Sequence, residues 1–395
     1  MKKATRQQTK THNTRLVLKT IYERGNISRA DIARTTRLTR PTVSTIVADL
    51  MTEELVTEVG QGPSAGGKRP TLLAVDHNAY HLLCVDLGAQ EFRGALIDLQ
   101  GAIGQRFYLP TQNQKGEAAL QLIYQMIDNL MEVAPLPILG IGIGTPGIID
   151  TQQGIIYEAV NLGWRDLPLQ ALLQARYDLP VHLANDSQAA ALGEMVFGSN
   201  DKASNMVLVK VGSGISAGIV LNGRIFSGDN FSPGEIGHQT VLNGSKPCTC
   251  GRQGCLETVA SSRAVLEKAR TITQTQPDSI LAQLAVDAVE LNIDLVLQAF
   301  EAGDETVRLM IAEVGRYLGT AVANLASILN IQHMIIGGQV ARFGEPLLAA
   351  IRHEVDQQVL GRIAENTHIE LNSLGSDMVI MGAAAMVLSR ELGVV

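Results

Sequence analysis

The stretch SPGEIGHQTVLNGSKPCTCGRQGCLE, residues 232–257, sets His238, Cys248, Cys250 and Cys255 in the spacing His-x9-Cys-x-Cys-x4-Cys. Three soft thiolates and one imidazole complete a tetrahedral zinc shell. Gly244, Pro247, Gly251 and Gly254 lie among the ligands, where the backbone has to wrap an ion. With no ligand position left open for water, the zinc is expected to be structural, one per chain. The fourth cysteine, Cys84, stands in an apolar run and reads as a small core residue. No apolar stretch follows the basic N-terminus MKKATRQQTKTHNTR, so no export signal is expected. That favours metal over disulfides for the crowded cysteines and makes the cytoplasm the default location.

The same stretch brings Glu235 and Glu257 to the metal-ordered segment. Carboxylates and an imidazole are good acceptors for vicinal hydroxyls. Upstream, Asn185-Asp186 stands between an apolar strand, Val181–Ala184, and a helix, Ser187–Phe197. A carboxylate placed there can take a proton from a sugar hydroxyl as general base, although such a pair is also an ordinary helix N-cap. Strands and helices alternate on both sides. Strands at Tyr80–Asp86, Arg93–Asp98 and Gln105–Leu109 precede a helix over Glu117–Val133 and a buried strand, Leu136–Gly144, ending in GIGTPG. Strands at Asn205–Val211 and Ala217–Leu221 precede a mainly helical stretch over Ser261–Leu329 and another buried strand, Met334–Gly338. This is the pattern of an α/β protein in two lobes. Apolar residues make up 46% of the chain and charged ones 18%, enough apolar side chains for large cores. No apolar run reaches the ~20 residues of a membrane helix.

Charge divides the chain. Residues 1–70 carry 13 Lys+Arg against 6 Asp+Glu, and the remainder 19 against 33. A basic head on an acidic body points to a polyanion partner for the head. Within it, Asn13–Arg24 reads as a helix with Leu16, Val17, Thr20 and Ile21 on one face, broken by Gly25. Ser28 caps a second helix, with Asp31 at its third position. Thr39 caps a third, with Pro41 in its first turn and an inward stripe of Val43, Ile46, Val47 and Leu50. Two short helices joined by a tight turn fit a helix-turn-helix. Thr39, Arg40, Thr42, Ser44 and Thr45 are then placed to reach base edges and phosphates. Leu55–Val59 and Thr71–Val75 read as the strands of a wing, whose tip GQGPSAGGKRP carries Lys68 and Arg69 toward a phosphate backbone.

The runs ANDSQAAALGE, SPGEIGHQTV and CTCGRQGCLE resemble the ROK family of repressors, open reading frames and sugar kinases, and the N-terminal module resembles its transcriptional repressor branch. The resemblance implies a winged helix-turn-helix over residues 1–75. It implies a two-lobed, actin-like and hexokinase-like sugar-binding domain over 76–395. The lobes would be about 76–190 plus the C-terminal helix, and about 191–375. It further implies that Asn185, Asp186, Glu235, His238 and Glu257 bind the sugar, with Gly147 in GTPG and Asn161 in VNLGW near the same cleft. His238 would serve zinc and sugar through different ring nitrogens. Asn185 and Asp186 are expected to approach the sugar from one side of the cleft and the other three residues from the opposite side.

The kinase branch of the family also holds ATP, on loops rich in glycine. Here Ala89 and Gln90 follow Asp86-Leu87-Gly88 where a glycine and a threonine belong, and Ser216 and Ala217 interrupt the second loop, Gly212–Gly218. A Cβ at Ala89 and the longer Gln90 crowd a phosphate turn. The expectation is therefore a repressor of carbohydrate-utilisation genes whose operator binding responds to a sugar, with ATP disfavoured and a dimer or tetramer on a palindromic site. The alternative is an active sugar kinase carrying a DNA-binding domain, with Asp186 as its base.

Overall fold

The computed structural model of the chain describes residues 5–63, 69–135, 137–199, 203–242, 246–286, 288 and 290–395. They fall into two units, Met1–Ala184 with Ala383–Val395, and Asn185–Gly382. The first unit joins the basic head to the first lobe, and the lobe boundary falls a few residues before the expected one. None of its helices is long and apolar enough to cross a membrane, among the described residues.

The head begins with α1 (Arg6–Arg24), which starts ahead of the expected Asn13. Apolar periodicity is absent from this polar run, but Thr5 and Gln8 form a capping box that nucleates the helix there. A two-residue strand, β1 (Ile27–Ser28), leads into α2 (Arg29–Thr36) and α3 (Arg40–Thr52). The wing strands β2 (Val56–Gln61) and β3 (Thr71–Val75) then pair with β1 in the order β1-β3-β2. Val17, Ile21, Ile32, Val43, Val47, Leu50 and Leu73 are buried and form the core of this module.

The rest of the first unit is built on a five-stranded sheet. The strands β4 (His81–Leu87), β5 (Glu91–Asp98) and β6 (Ile103–Pro110) form an antiparallel meander. The helix α4 (Glu117–Val133) buries Ile123, Met126, Ile127 and Leu130 in the core of that sheet. β7 (Ile138–Thr145) runs parallel to β4. A small sheet follows, β8 (Ile148–Asp150), β9 (Ile155–Ala159) and β10 (Trp164–Leu167), then α5 (Leu169–Tyr177) and β11 (Val181–Asn185). The large sheet has the order β11-β7-β4-β5-β6.

The second unit repeats the plan. It opens with α6 (Asp186–Phe197) and the strands β12 (Met206–Val211), β13 (Ile215–Leu221) and β14 (Arg224–Ile225). Helices α7 (Glu257–Ala260), α8 (Ser262–Thr275), α9 (Ile280–Val286), α10 (Ile293–Glu301) and α11 (Glu305–Leu329) follow. The chain continues through β15 (His333–Gly337), α12 (Glu345–Gln358), α13 (Gly361–Ala364), β16 (His368–Leu371) and α14 (Met378–Val387). The sheet order is β14-β13-β12-β15-β16, with β12, β15 and β16 parallel. Helices on this sheet enclose a core that includes Val296, Ile311, Val314, Leu318 and Ile351.

Every residue from Met378 to Leu388 is buried, as a helix apolar on all sides requires. Its Gly382 meets α6 backbone to backbone: a Cβ there would lie 1.7 Å from the Ala189 carbonyl oxygen. This contact seats the helix whose first residue is Asp186. Gly382→Ala should therefore cost about 1–3 kcal/mol and lower the melting temperature by several degrees. Gly361→Ala, whose Cβ meets nothing within 4 Å, should leave it unchanged. Equal melting of the two variants would contradict this packing.

Candidate functional site

In the head, α3 presents the expected surface. Thr39 caps it by accepting from the Thr42 amide, and the two threonine hydroxyls share a hydrogen bond at 2.8 Å. Thr39, Arg40, Ser44 and Thr45 are exposed, while Thr42 is half-buried by its bond to Thr39. Arg37, in the turn before the cap, holds φ +59° and is exposed beside them; sequence reasoning did not single it out. Arg69 is exposed at the foot of the wing, and Lys68 lies outside the described residues.

In the second unit the ligand atoms of His238, Cys248, Cys250 and Cys255 lie within 4.8 Å of one another. His238 ends a short 3-10 turn, and Cys255 immediately precedes Leu256, the N-cap of α7. Between them the backbone turns back on itself, with the Cys248 amide bonded to the Arg252 carbonyl at 2.7 Å. Gly254, at φ +74°, passes so close to Leu242 that a Cβ would stand 2.0 Å from its carbonyl oxygen. The Cys248 sulfur lies 3.6 Å from His238 Nδ1, and the Cys250 and Cys255 sulfurs are 3.7 Å apart. Tetrahedral zinc with bonds of about 2.3 Å to sulfur and about 2.0 Å to nitrogen has edges of about 3.8 and 3.6 Å. The four residues therefore fit a metal ion. Burial and the neighbouring thiols push Cys255 up to about 12, so a thiolate at this position needs a cation beside it, whereas the Arg252 backbone amide pulls Cys250 down.

The same unit gathers Asn185, Asp186, Glu235, His238 and Glu257, all within Asn185–Gly382. Asn185 and Asp186 thus fall in the same unit as the other three, because the boundary lies ahead of the one expected near residue 190. β11 ends on Asn185, and the chain folds straight into the second unit from there. Asn185 is the N-cap of α6, its side-chain oxygen accepting from the Ser187 and Gln188 amides. Asp186 Oδ1 accepts from the Ser187 amide at 2.8 Å, and Oδ2 is paired with the Lys210 ammonium. Glu257 Oε2 accepts from the Ile215 amide at 3.3 Å, and Oε1 is paired with Arg263, whose Nε donates to the Ser213 carbonyl. Glu235 is exposed as a residue, yet surrounding protein desolvates its carboxyl and raises it above the usual range. His238 opposes that rise, while Asp186 and Glu257 add to it.

Lys210 and Arg263 were not anticipated. Lys210 is the only charged residue of β12, in the otherwise aliphatic MVLVKV, and that irregularity was its signal. Arg263 sits on the helix after Glu257 and carried none. Gly147 and Asn161 lie in the first unit. Gly147 turns the chain from β7 into β8 at φ +104°, where a Cβ would meet the Glu158 carbonyl oxygen at 2.1 Å, and Asn161 is exposed in a 3-10 turn.

The two glycine loops are engaged internally. In the first, the Ala89 and Gln90 carbonyls accept from the Thr111 hydroxyl at 3.0 Å. In the second, Gly212 bonds to Gly214, and the Ile215 amide already serves Glu257. A phosphate cradle needs main-chain N–H groups turned toward the ligand, and in the second loop those of Gly212 and Ile215 are already bonded within the protein.

Residues 82–390 match the ROK family and residues 11–69 the MarR family. The chain is similar to the xylose repressor of Caldicellulosiruptor bescii, 36% identical over 388 residues and covering 96% of both chains. It is also similar to the glucokinase of Halalkalibacterium halodurans, 38% identical over 315 residues that span 78% of this chain and 94% of the kinase. The crystal structure of a ROK family transcriptional regulator, a homolog of the E. coli MLC protein, superimposes with a TM-score of 0.85 at 27% identity and 98% coverage of both chains. Head and body have their counterparts in the same order along these regulators. The chain belongs to the ROK family, with a MarR-type winged helix-turn-helix ahead of its actin-like domain.

Proposed function

We propose that this chain is a sugar-responsive repressor of carbohydrate-utilisation genes. The observation that carries the reading is likeness to a repressor from end to end, whereas likeness to the glucokinase spans 78% of the chain. The exposed Thr39, Arg40, Ser44 and Thr45 of α3 read the operator, with Thr42 holding the cap, and Lys68 and Arg69 meet phosphates through the wing. Two heads on a homodimer or homotetramer double the contacts on a palindromic site. The body, from residue 76 onward, holds the effector. Carboxylate, amide and imidazole acceptors at Asn185, Asp186, Glu235, His238 and Glu257 take the hydroxyls of a sugar, and Gly147 and Asn161 are assigned to it by resemblance. Xylose, named for the relative above, heads the probes. One zinc on His238 Nδ1, Cys248, Cys250 and Cys255 orders the loop that carries Glu235 and Glu257, leaving His238 Nε2 for the sugar. Sugar binding changes operator affinity because it favours one of two states that present the heads differently.

A kinase reading rests on the glucokinase likeness and on Asp186 as general base. Its loops depart at Ala89, Gln90, Ser216 and Ala217, and the Ile215 amide is committed to Glu257. Turnover of ATP with a sugar panel separates the two readings.

Arg40→Ala should weaken operator binding by about 1–3 kcal/mol in a fluorescence titration and leave sugar affinity unchanged. An unaltered operator affinity would remove α3 from the DNA surface. Metal analysis should find one zinc per chain, and Cys250→Ser should lose it. The same variant should bind sugar more weakly, since one loop positions both ligands and acceptors. Protein purified without chelators and containing no zinc would refute this assignment.

A further inference from the structure

Lys210 answers to nothing in the reading so far, yet it occupies an expensive position. It lies on β12, in register with Ser216 of β13 and Gly337 of β15, in the middle of the second sheet. The other residues of the strand are buried, and only 21% of the Lys210 side chain is exposed. A lysine is rarely drawn into such a strand without a partner to hold its charge. Its partner is Asp186, at the first turn of α6, and Asp186 is one of the proposed sugar acceptors.

The geometry points to Lys210 as the positioning residue of the effector site: it holds the Asp186 carboxylate in place as an acceptor for sugar hydroxyls. The inference rests on the proposed sugar site. The Ser187 amide fixes one carboxylate oxygen and the Lys210 ammonium the other, so the plane of the carboxylate is set from both ends. Each oxygen has two lone-pair directions, so both remain able to accept a hydroxyl. Acting as a base, the same group would take the hydroxyl proton and lose the charge that Lys210 pairs with, which makes the pair better suited to reception than to proton abstraction. Without Lys210 the Oδ2 end of the carboxylate is released, and the group can turn about its side-chain bonds away from the incoming hydroxyl.

The test is a cycle on full-length protein. D-xylose, D-glucose and N-acetyl-D-glucosamine are titrated calorimetrically into wild type, and the tightest of them into Lys210→Met, Lys210→Arg, Asp186→Asn and the double variant Lys210→Met/Asp186→Asn. Lys210→Met should bind about tenfold or more weakly, as expected for a misplaced charged acceptor. Lys210→Arg, which keeps a cation, should recover most of the loss. In the Asp186→Asn background, Lys210→Met should cost less than about threefold, because Lys210 acts through Asp186. A merely structural lysine would lower the melting temperature without this coupling. Wild-type affinity in Lys210→Met, or losses that multiply in the double variant, would overturn the role of Lys210 alone. A wild type that binds none of the three sugars would overturn the sugar site itself, and this role with it.

Discussion

Negative charge brought together in one place is the constraint on which the second unit depends. Between Asp186 and Glu257 the fold converges three carboxylates and three cysteine sulfurs, and a low-dielectric setting makes each uncompensated anion costly. Two of the carboxylates and the sulfur cluster are each compensated locally, while Glu235 is exposed and has His238 nearby. Lys210 answers Asp186, Arg263 answers Glu257, and the His238–Cys255 cluster has the dimensions of a metal shell. Glycines make the convergence sterically accessible. At Gly234, φ +87°, a Cβ would stand 1.9 Å from the Ala217 carbonyl oxygen, so the segment bearing Glu235 lies directly against β13. The His/Cys cluster, the carboxylates and the sheet are therefore packed against one another.

What the sequence disclosed follows from how local each signal is. The cysteine cluster was legible because metal ligation demands particular residue types at short spacing. α3 was legible because Thr39, Pro41 and the Val43–Leu50 stripe agree about the same helix, and α4 because its apolar face is uninterrupted. The start of α1 was not, since a capping box in a polar run has no hydrophobic period to announce it. β1 was missed for a related reason: two residues cannot show alternation, and the strand exists only by pairing with Leu72 and Leu73. Counter-charges are the least local of all. The partner of Asp186 is 24 positions away and that of Glu257 is on another helix, so pairing appears only when the chain is folded.

Proximity across a hairpin is equally invisible in chain order: β12 and β13 leave and return, and Glu235 then lies near enough to Asp186 and Glu257 to feel both charges. The second glycine loop is the turn between those strands, and Arg263 and Glu257 both bond to it. Restoring glycine at Ser216 or Ala217 would leave the Ile215 amide still committed to Glu257.

The head is seated within the first unit on the C-terminal segment. α1 rests on the C-terminal turn that follows α14, where Arg15 donates to the Arg390 carbonyl at 3.2 Å and its stem crosses Gly393. The next residue of that turn, Glu391, lies 2.6 Å from His182 on β11. β11 runs on to Asn185, the cap of the helix that carries Asp186. Burial and the nearby Asp98 push the phenol of Tyr22, also on α1, up to about 12. α1 packs against α2 and α3 through Val17 and Ile21. β11 and α3 are thus joined within the first unit by the His182–Glu391 and Arg15–Arg390 bonds and by the packing of α1.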